Sequence, residues 1–124
     1  MTICQTITVR DSVDIITARM HVREVARRLG MKLTEQSLIS LATSSLANAL
    51  GLGLDNNIIG QITIEDLHND TGKGLKVVCV RNNWSEYSPP LSYFGNERWM
   101  VDEFEMRTPS AGQLEITMTK WARM

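Results

Sequence analysis

The order of apolar patterns along the chain predicts an α+β fold: a two-layer sandwich with helices on one face of a mainly antiparallel, mixed sheet. Three observations carry this expectation. Period-two alternation opens the chain and returns through its second half. Two stretches of three- and four-residue apolar spacing follow the first alternating segment. Strings of Gly, Asn, Asp and Pro separate the later alternating segments. The chain has 124 residues, and one core typically serves about 100–150, so residues 1–124 are read as a single domain.

Ile3, Gln5, Ile7 and Val9 alternate with Thr6 and Thr8, which predicts a first strand with one apolar face. Asp11 and Ser12 are capping residues, and Ile15, Ala18, Val22, Val25, Ala26 and Leu29 then recur at helical spacing up to Gly30. A helix over about residues 12–29 follows. A second helix, with Thr34 as its expected cap, would lay Leu38, Leu41, Ala42, Ser45, Leu46 and Ala49 against the sheet as a narrow stripe. The Gly- and Asn-rich string at 50–57 cannot continue that helix cheaply and reads as a loop. Ile58 to Leu67 and Leu75 to Val80 read as a central antiparallel pair, joined through His68 to Gly74. Residues 81–90 are polar, aromatic and closed by Pro89 and Pro90, so they predict irregular chain. A short helix near Asn96 to Val101, a strand from Glu103 to Thr108, a turn, and a last strand ending at Trp121 complete the order.

The composition excludes several classes of function. A net charge of -1 provides no global basic field for nucleic acid. No run approaches the ~18 apolar residues of a membrane helix, and the first residues lack a secretory pattern, so a cytoplasmic protein is expected. Cys4 and Cys79 have no Cys or His companions at ligand spacing and are expected to be buried free thiols. His21 and His68 are likewise assigned no metal or chemistry.

Two surface features remain. Arg19, Arg23 and Arg27, at i, i+4 and i+8, form a basic ridge on the first helix, either a solvated face or a docking ridge for an acidic partner. Trp84, Tyr87, Tyr93, Phe94 and Trp99 supply the aromatic character typical of interfaces. Of the large aromatics, Trp99, although among these candidate contacts, and Phe104 are expected in the core, and Trp121 is expected as a terminal anchor.

Five strings in order, Asp14-Ile-Ile-Thr-Ala-Arg19, Ala42-Thr-Ser-Ser-Leu-Ala-Asn48, Gly74-Leu-Lys-Val-Val78, Trp99-Met-Val-Asp-Glu-Phe104 and Met118-Thr-Lys-Trp121, span nearly the whole chain. Together they resemble the histidine-kinase-like (Bergerat) ATPase domain of gyrase, histidine kinases and MutL. The resemblance is closest to the RsbT-type and RsbW-type serine kinases of bacterial partner switching, and it implies the Bergerat form of the two-layer sandwich.

The same resemblance shows what this chain lacks. The family's second helix carries a Glu that activates the attacking oxygen and, one turn on, an Asn that binds Mg²⁺. Matched to the family, these positions are Ser44 and Asn48. Serine is neutral near pH 7 and is no carboxylate base. The adenine-reading Asp falls on Arg81, which has donors only. The pocket glycines fall on Asn83 and Ser85, with Trp84 between them, and add side chains where a purine needs space. The glycine-rich lid is reduced to a degenerate segment over about 82–96, with two prolines and no Gly-x-Gly.

The resemblance with these losses implies a pseudokinase: a non-catalytic regulatory module that binds protein, with no cofactor and no metal. Its partners would be a STAS-domain antagonist, a sigma factor or a phosphatase regulatory domain. One alternative is a weak serine/threonine kinase that holds Mg-ATP through Asn48 and acts on a STAS-domain antagonist. Another is a self-associating structural subunit, since the first strand is short and Thr-rich and suited to edge pairing into a homodimer.

Overall fold

The structure, a computed structural model, describes residues 3–53, 58–70, 72–84 and 94–123. Its elements follow the expected order: β1 (Cys4–Val9), α1 (Ser12–Arg28), α2 (Leu33–Ala49), β2 (Gly60–Asn69), β3 (Gly72–Arg81), α3 (Gly95–Met100), β4 (Glu103–Arg107) and β5 (Leu114–Trp121). The five strands form one sheet in the order β1-β2-β3-β5-β4. Every ladder in it is antiparallel, so the sheet is simpler than the mixed one expected.

Local chemistry sets the first helix. The Asp11 Oδ1 accepts from the backbone N–H of Val13 and Asp14, at 3.0 and 3.2 Å, while Asp14 Oδ2 accepts from the N–H of Asp11 at 3.4 Å and of Arg10 at 2.8 Å. This reciprocal cap satisfies donors that a helix start leaves unpaired. The cap of α2 differs from expectation: Lys32, not Thr34, is the cap position, and the Glu35 carboxylate reaches back to the Lys32 N–H at 3.0 Å. A glutamate at the third helical position performs the job a cap hydroxyl would have done.

The core lies between the helices and one face of the sheet. Ile15, Ala18, Val22 and Val25 of α1 meet Ile62 and Ile64 of β2, Leu75, Val77 and Cys79 of β3, and Ile116 and Met118 of β5 within one buried cluster. On α2, however, the buried residues are Ile39, Ala42, Thr43, Leu46 and Ala47, with Leu50 behind them. Leu38 and Leu41, expected against the sheet, are exposed. The helix is apolar over more than one face, and periodicity alone could not say which face the sheet would take.

The β2–β3 hairpin is also tighter than expected. Both strands run on to Asn69 and Gly72, and only residues 70–71 separate them. Cross-strand pairing continues from Leu67↔Gly74 to Asn69↔Gly72, so most of the string expected as a turn belongs to the ladder. Cys4, expected buried, is exposed on the edge strand, whereas Cys79 is enclosed. Trp121 is the anchor expected of it. A side chain at its register partner Gly74 would come within 2.5 Å of its ring, and its indole N–H donates to Glu103 Oε2 at 2.9 Å.

Candidate functional site

The end of β3, the end of α2 and the start of α3 carry the residues matched to the family's nucleotide pocket. Arg81 closes β3, pairing with Gly60 on one side and Leu114 on the other. Its Nη1 donates to the backbone carbonyl of Leu50 at 2.6 Å, placing a cation on the carbonyl-rich, partly negative end of α2. The same guanidinium lies over the Trp84 ring, 4.6 Å from its centroid, in a cation–π contact. Space for it comes from Gly51, at φ +75°, where a Cβ would stand 3.3 Å from Nη1. The Arg81 Nε is buried without a hydrogen-bond partner among the described residues. The position matched to an adenine-reading carboxylate is therefore a cation engaged within the fold.

Asn83, one of the positions matched to a pocket glycine, has a left-handed backbone at φ 57°, which Asn tolerates better than most residues. Trp84 is half-buried against the core rather than presented, and its backbone N–H donates to Gly112 at 2.9 Å. Ser85, Tyr87 and Tyr93 lie outside the described residues. So does most of the segment matched to the lid, 82–96.

The two matched positions on α2 are Ser44 and Asn48. The Ser44 hydroxyl donates to the Leu41 carbonyl of its own helix at 3.1 Å, and Asn48 is exposed one turn further on. The residue that reaches across to α3 is the neighbouring Ser45, whose hydroxyl donates to Glu97 Oε1 at 2.6 Å. Glu97 is buried. Sequence reasoning missed this pair, because nothing in a six-residue helix marks one of its charged side chains as the inward one.

The expected docking residues divide. Phe94 is a correction: it is fully buried, with its ring 5.9 Å from that of Phe104, because it precedes α3 and fills the space beneath it. Trp99, expected in the core, is instead 87% exposed. It lines a shallow cavity of about 260 Å³ with Arg98, Asp102 and Phe104. The polar string around it, Arg98 and Asp102-Glu103, was a signal for exposure that the apolar character of Trp outweighed. Arg19 and Arg23 are exposed. Arg27 is tied to Glu24, at 2.6 Å, and that pairing holds the Glu24 carboxyl below its ordinary range against a smaller opposing effect of burial.

Among the described residues, no cluster of three or more His, Cys, Asp or Glu could hold a metal, and no helix is long and apolar enough to cross a membrane. His68 Nε2 lies 2.9 Å from Asp66 Oδ2, and His21 Nδ1 lies 3.1 Å from Gln5 Oε1.

The fold and this corner define an α+β sandwich in which Arg81 and Ser44 are engaged in contacts within the domain. The chain is similar to the serine/threonine-protein kinase RsbT of Bacillus subtilis (strain 168), with 28% identity over 123 residues covering 89% of this chain and 90% of the relative. That likeness supports a relation to the RsbT-like kinases over almost the whole domain. No protein-family model matches the chain.

Proposed function

We propose that the protein is a non-catalytic regulatory module derived from an RsbT-like serine/threonine kinase, acting in a partner-switching system by binding protein rather than by transferring phosphate. The observation that carries this reading is Arg81. A guanidinium bound to the end of α2 and stacked on Trp84 occupies the position that the resemblance matches to the family's adenine-reading carboxylate. Donors cannot accept the adenine amino proton, and Ser44, turned to its own backbone, supplies no base. The partners of this reading are a STAS-domain antagonist, a sigma factor or a phosphatase regulatory domain, met in the cytoplasm. The exposed Trp99 and the arginines of α1 are the described contacts suited to them.

The relative is a kinase by name, and Asn48 is in place and exposed, so the competing reading is a weak kinase that holds Mg-ATP. Calorimetric titration with ATP and ADP plus Mg²⁺, paired with the shift in Tm, separates the two. Silence up to millimolar nucleotide is the expected result. Mg²⁺-dependent binding abolished by Asn48→Ala would overturn the pseudokinase reading and make phosphorylation of a STAS-domain substrate the next assay.

A further inference from the structure

The two helices carry more apolar surface than the sheet takes. On α1, Val13, Ile16 and Met20 are exposed, with Met20 at 65%. They recur at three- and four-residue spacing on the side opposite the buried Ile15, Ala18 and Val22. On α2, Leu33, Leu38 and Leu41 are exposed, with Leu33 at 66%. With Thr34 and Ser37 they line an open, almost wholly apolar groove of about 440 Å³. The helices run antiparallel through the short turn at 29–32, so this end of α2 lies beside the Met20–Arg27 end of α1. Scattered exposed apolar residues are ordinary. Two stripes on adjacent helices are not scattered.

Charge says what would cover them. The carboxylates of α1 and α2 are Asp14, Glu24 and Glu35. Asp14 is engaged in the α1 cap, Glu24 pairs with Arg27 and Arg28, and Glu35 is buried. Arg19 and Arg23 are exposed and make no ion pair among the described residues. The α1 stripe thus runs beside Arg19 and Arg23, cations that no carboxylate of the two helices neutralises among the described residues. A second copy of the chain fits poorly. Two-fold pairing sets the patch against its own copy, which brings the same Arg19 and Arg23 and no uncommitted carboxylate of α1 or α2 to meet them.

We infer that the outer face of the α1–α2 layer docks an acidic amphipathic helix of a protein partner. Its apolar side would seat along Ile16, Met20, Leu38 and Leu41, and its carboxylates would meet Arg19 and Arg23. This names the partner chemistry for the protein-binding reading above and rests on it.

The test uses the isotope-labelled full chain and two synthetic helical peptides with the same leucine stripe, one flanked by Glu and one by Lys. The Glu peptide is expected to shift amide resonances of residues 16–23 and 33–41 and to bind about tenfold or more tighter than the Lys peptide. Arg19→Glu with Arg23→Glu should invert that preference. Leu38→Ser with Leu41→Ser should abolish binding of either peptide while the circular dichroism of the folded chain is retained, because neither side chain belongs to the buried cluster. Equal binding of the two peptides, shifts confined to another face, no binding at millimolar peptide, or concentration-dependent self-association through these residues would each overturn the inference. Nucleotide titration is independent of all of these outcomes. Nucleotide silence without peptide binding removes this surface and leaves the pseudokinase reading, whereas nucleotide binding with peptide docking does the reverse.

Discussion

Arg81 ties the end of β3 to the end of α2 and so contributes to the stability of the domain. Arg81→Met keeps the aliphatic stem but removes the donor to Leu50 and the cation over Trp84, and a charge-assisted bond of this kind contributes about 1.5–3 kcal/mol. A lower denaturation midpoint of that size, with no change in nucleotide response, is the expected result. The two thiols give a second contrast. Burial pushes the Cys79 thiol up to about 12, so it stays protonated and shielded, while Cys4 is exposed. A thiol reagent should label Cys4 alone in the native protein and Cys79 only after unfolding. Asp66 supplies a pH dependence. Burial alone would raise its pKa, but the Ile3 N–H, at 2.5 Å, and the His68 ring together hold it below the ordinary 3.8. A depressed carboxylate stabilises the fold fully above its unfolded value, and that stabilisation is lost as pH falls through the folded value. The Tm gap between the wild type and Asp66→Asn should therefore be widest near neutral pH and close in strong acid.

Helix α3 has six residues, too few to be stable on helical hydrogen bonds alone. Its attachment rests on Glu97 reaching Ser45 and on Phe94 packed near Phe104. Ser45→Ala removes the one donor to Glu97 described here and leaves a buried carboxylate oxygen without it, a loss of about 1–3 kcal/mol. Hydrogen exchange should show that loss first as faster exchange across residues 95–100, ahead of the sheet. The β3–β5 ladder has a different dependence, on an absent side chain. Gly74→Ala drives a methyl into the Trp121 ring, and because both sit in a paired ladder the clash should cost about 1–3 kcal/mol. Phe and Gly were legible as residues in the sequence, but their partners lie 10 and 47 positions away and are set by packing and strand register.

Across the molecule, one buried cluster joins α1, α2 and the central strands. A domain with a single core of this size unfolds in one cooperative step. Tryptophan fluorescence and far-ultraviolet circular dichroism should therefore give coincident denaturation curves, and separate midpoints would show that the corner around Trp84 and α3 melts on its own. Both faces of the helical layer are apolar, the inner one satisfied by the sheet and the outer one open. β1 and β4 are the edge strands of the sheet, and β1 carries the Thr-rich pattern on which a homodimer would depend.

The element order, the α1 cap and its core face, and the two-layer class were all readable in the chain, because they follow from local capping chemistry and from periodicity over one element. What remained was the assignment of faces and partners: that Leu38 and Leu41 turn outward, that Phe94 is enclosed and Trp99 open, that Ser45 rather than Ser44 reaches α3, and that Arg81 caps α2. Each of these depends on which surfaces meet across long stretches of chain. A residue's own pattern records that a side chain is apolar or charged, while burial is decided by the element packed against it.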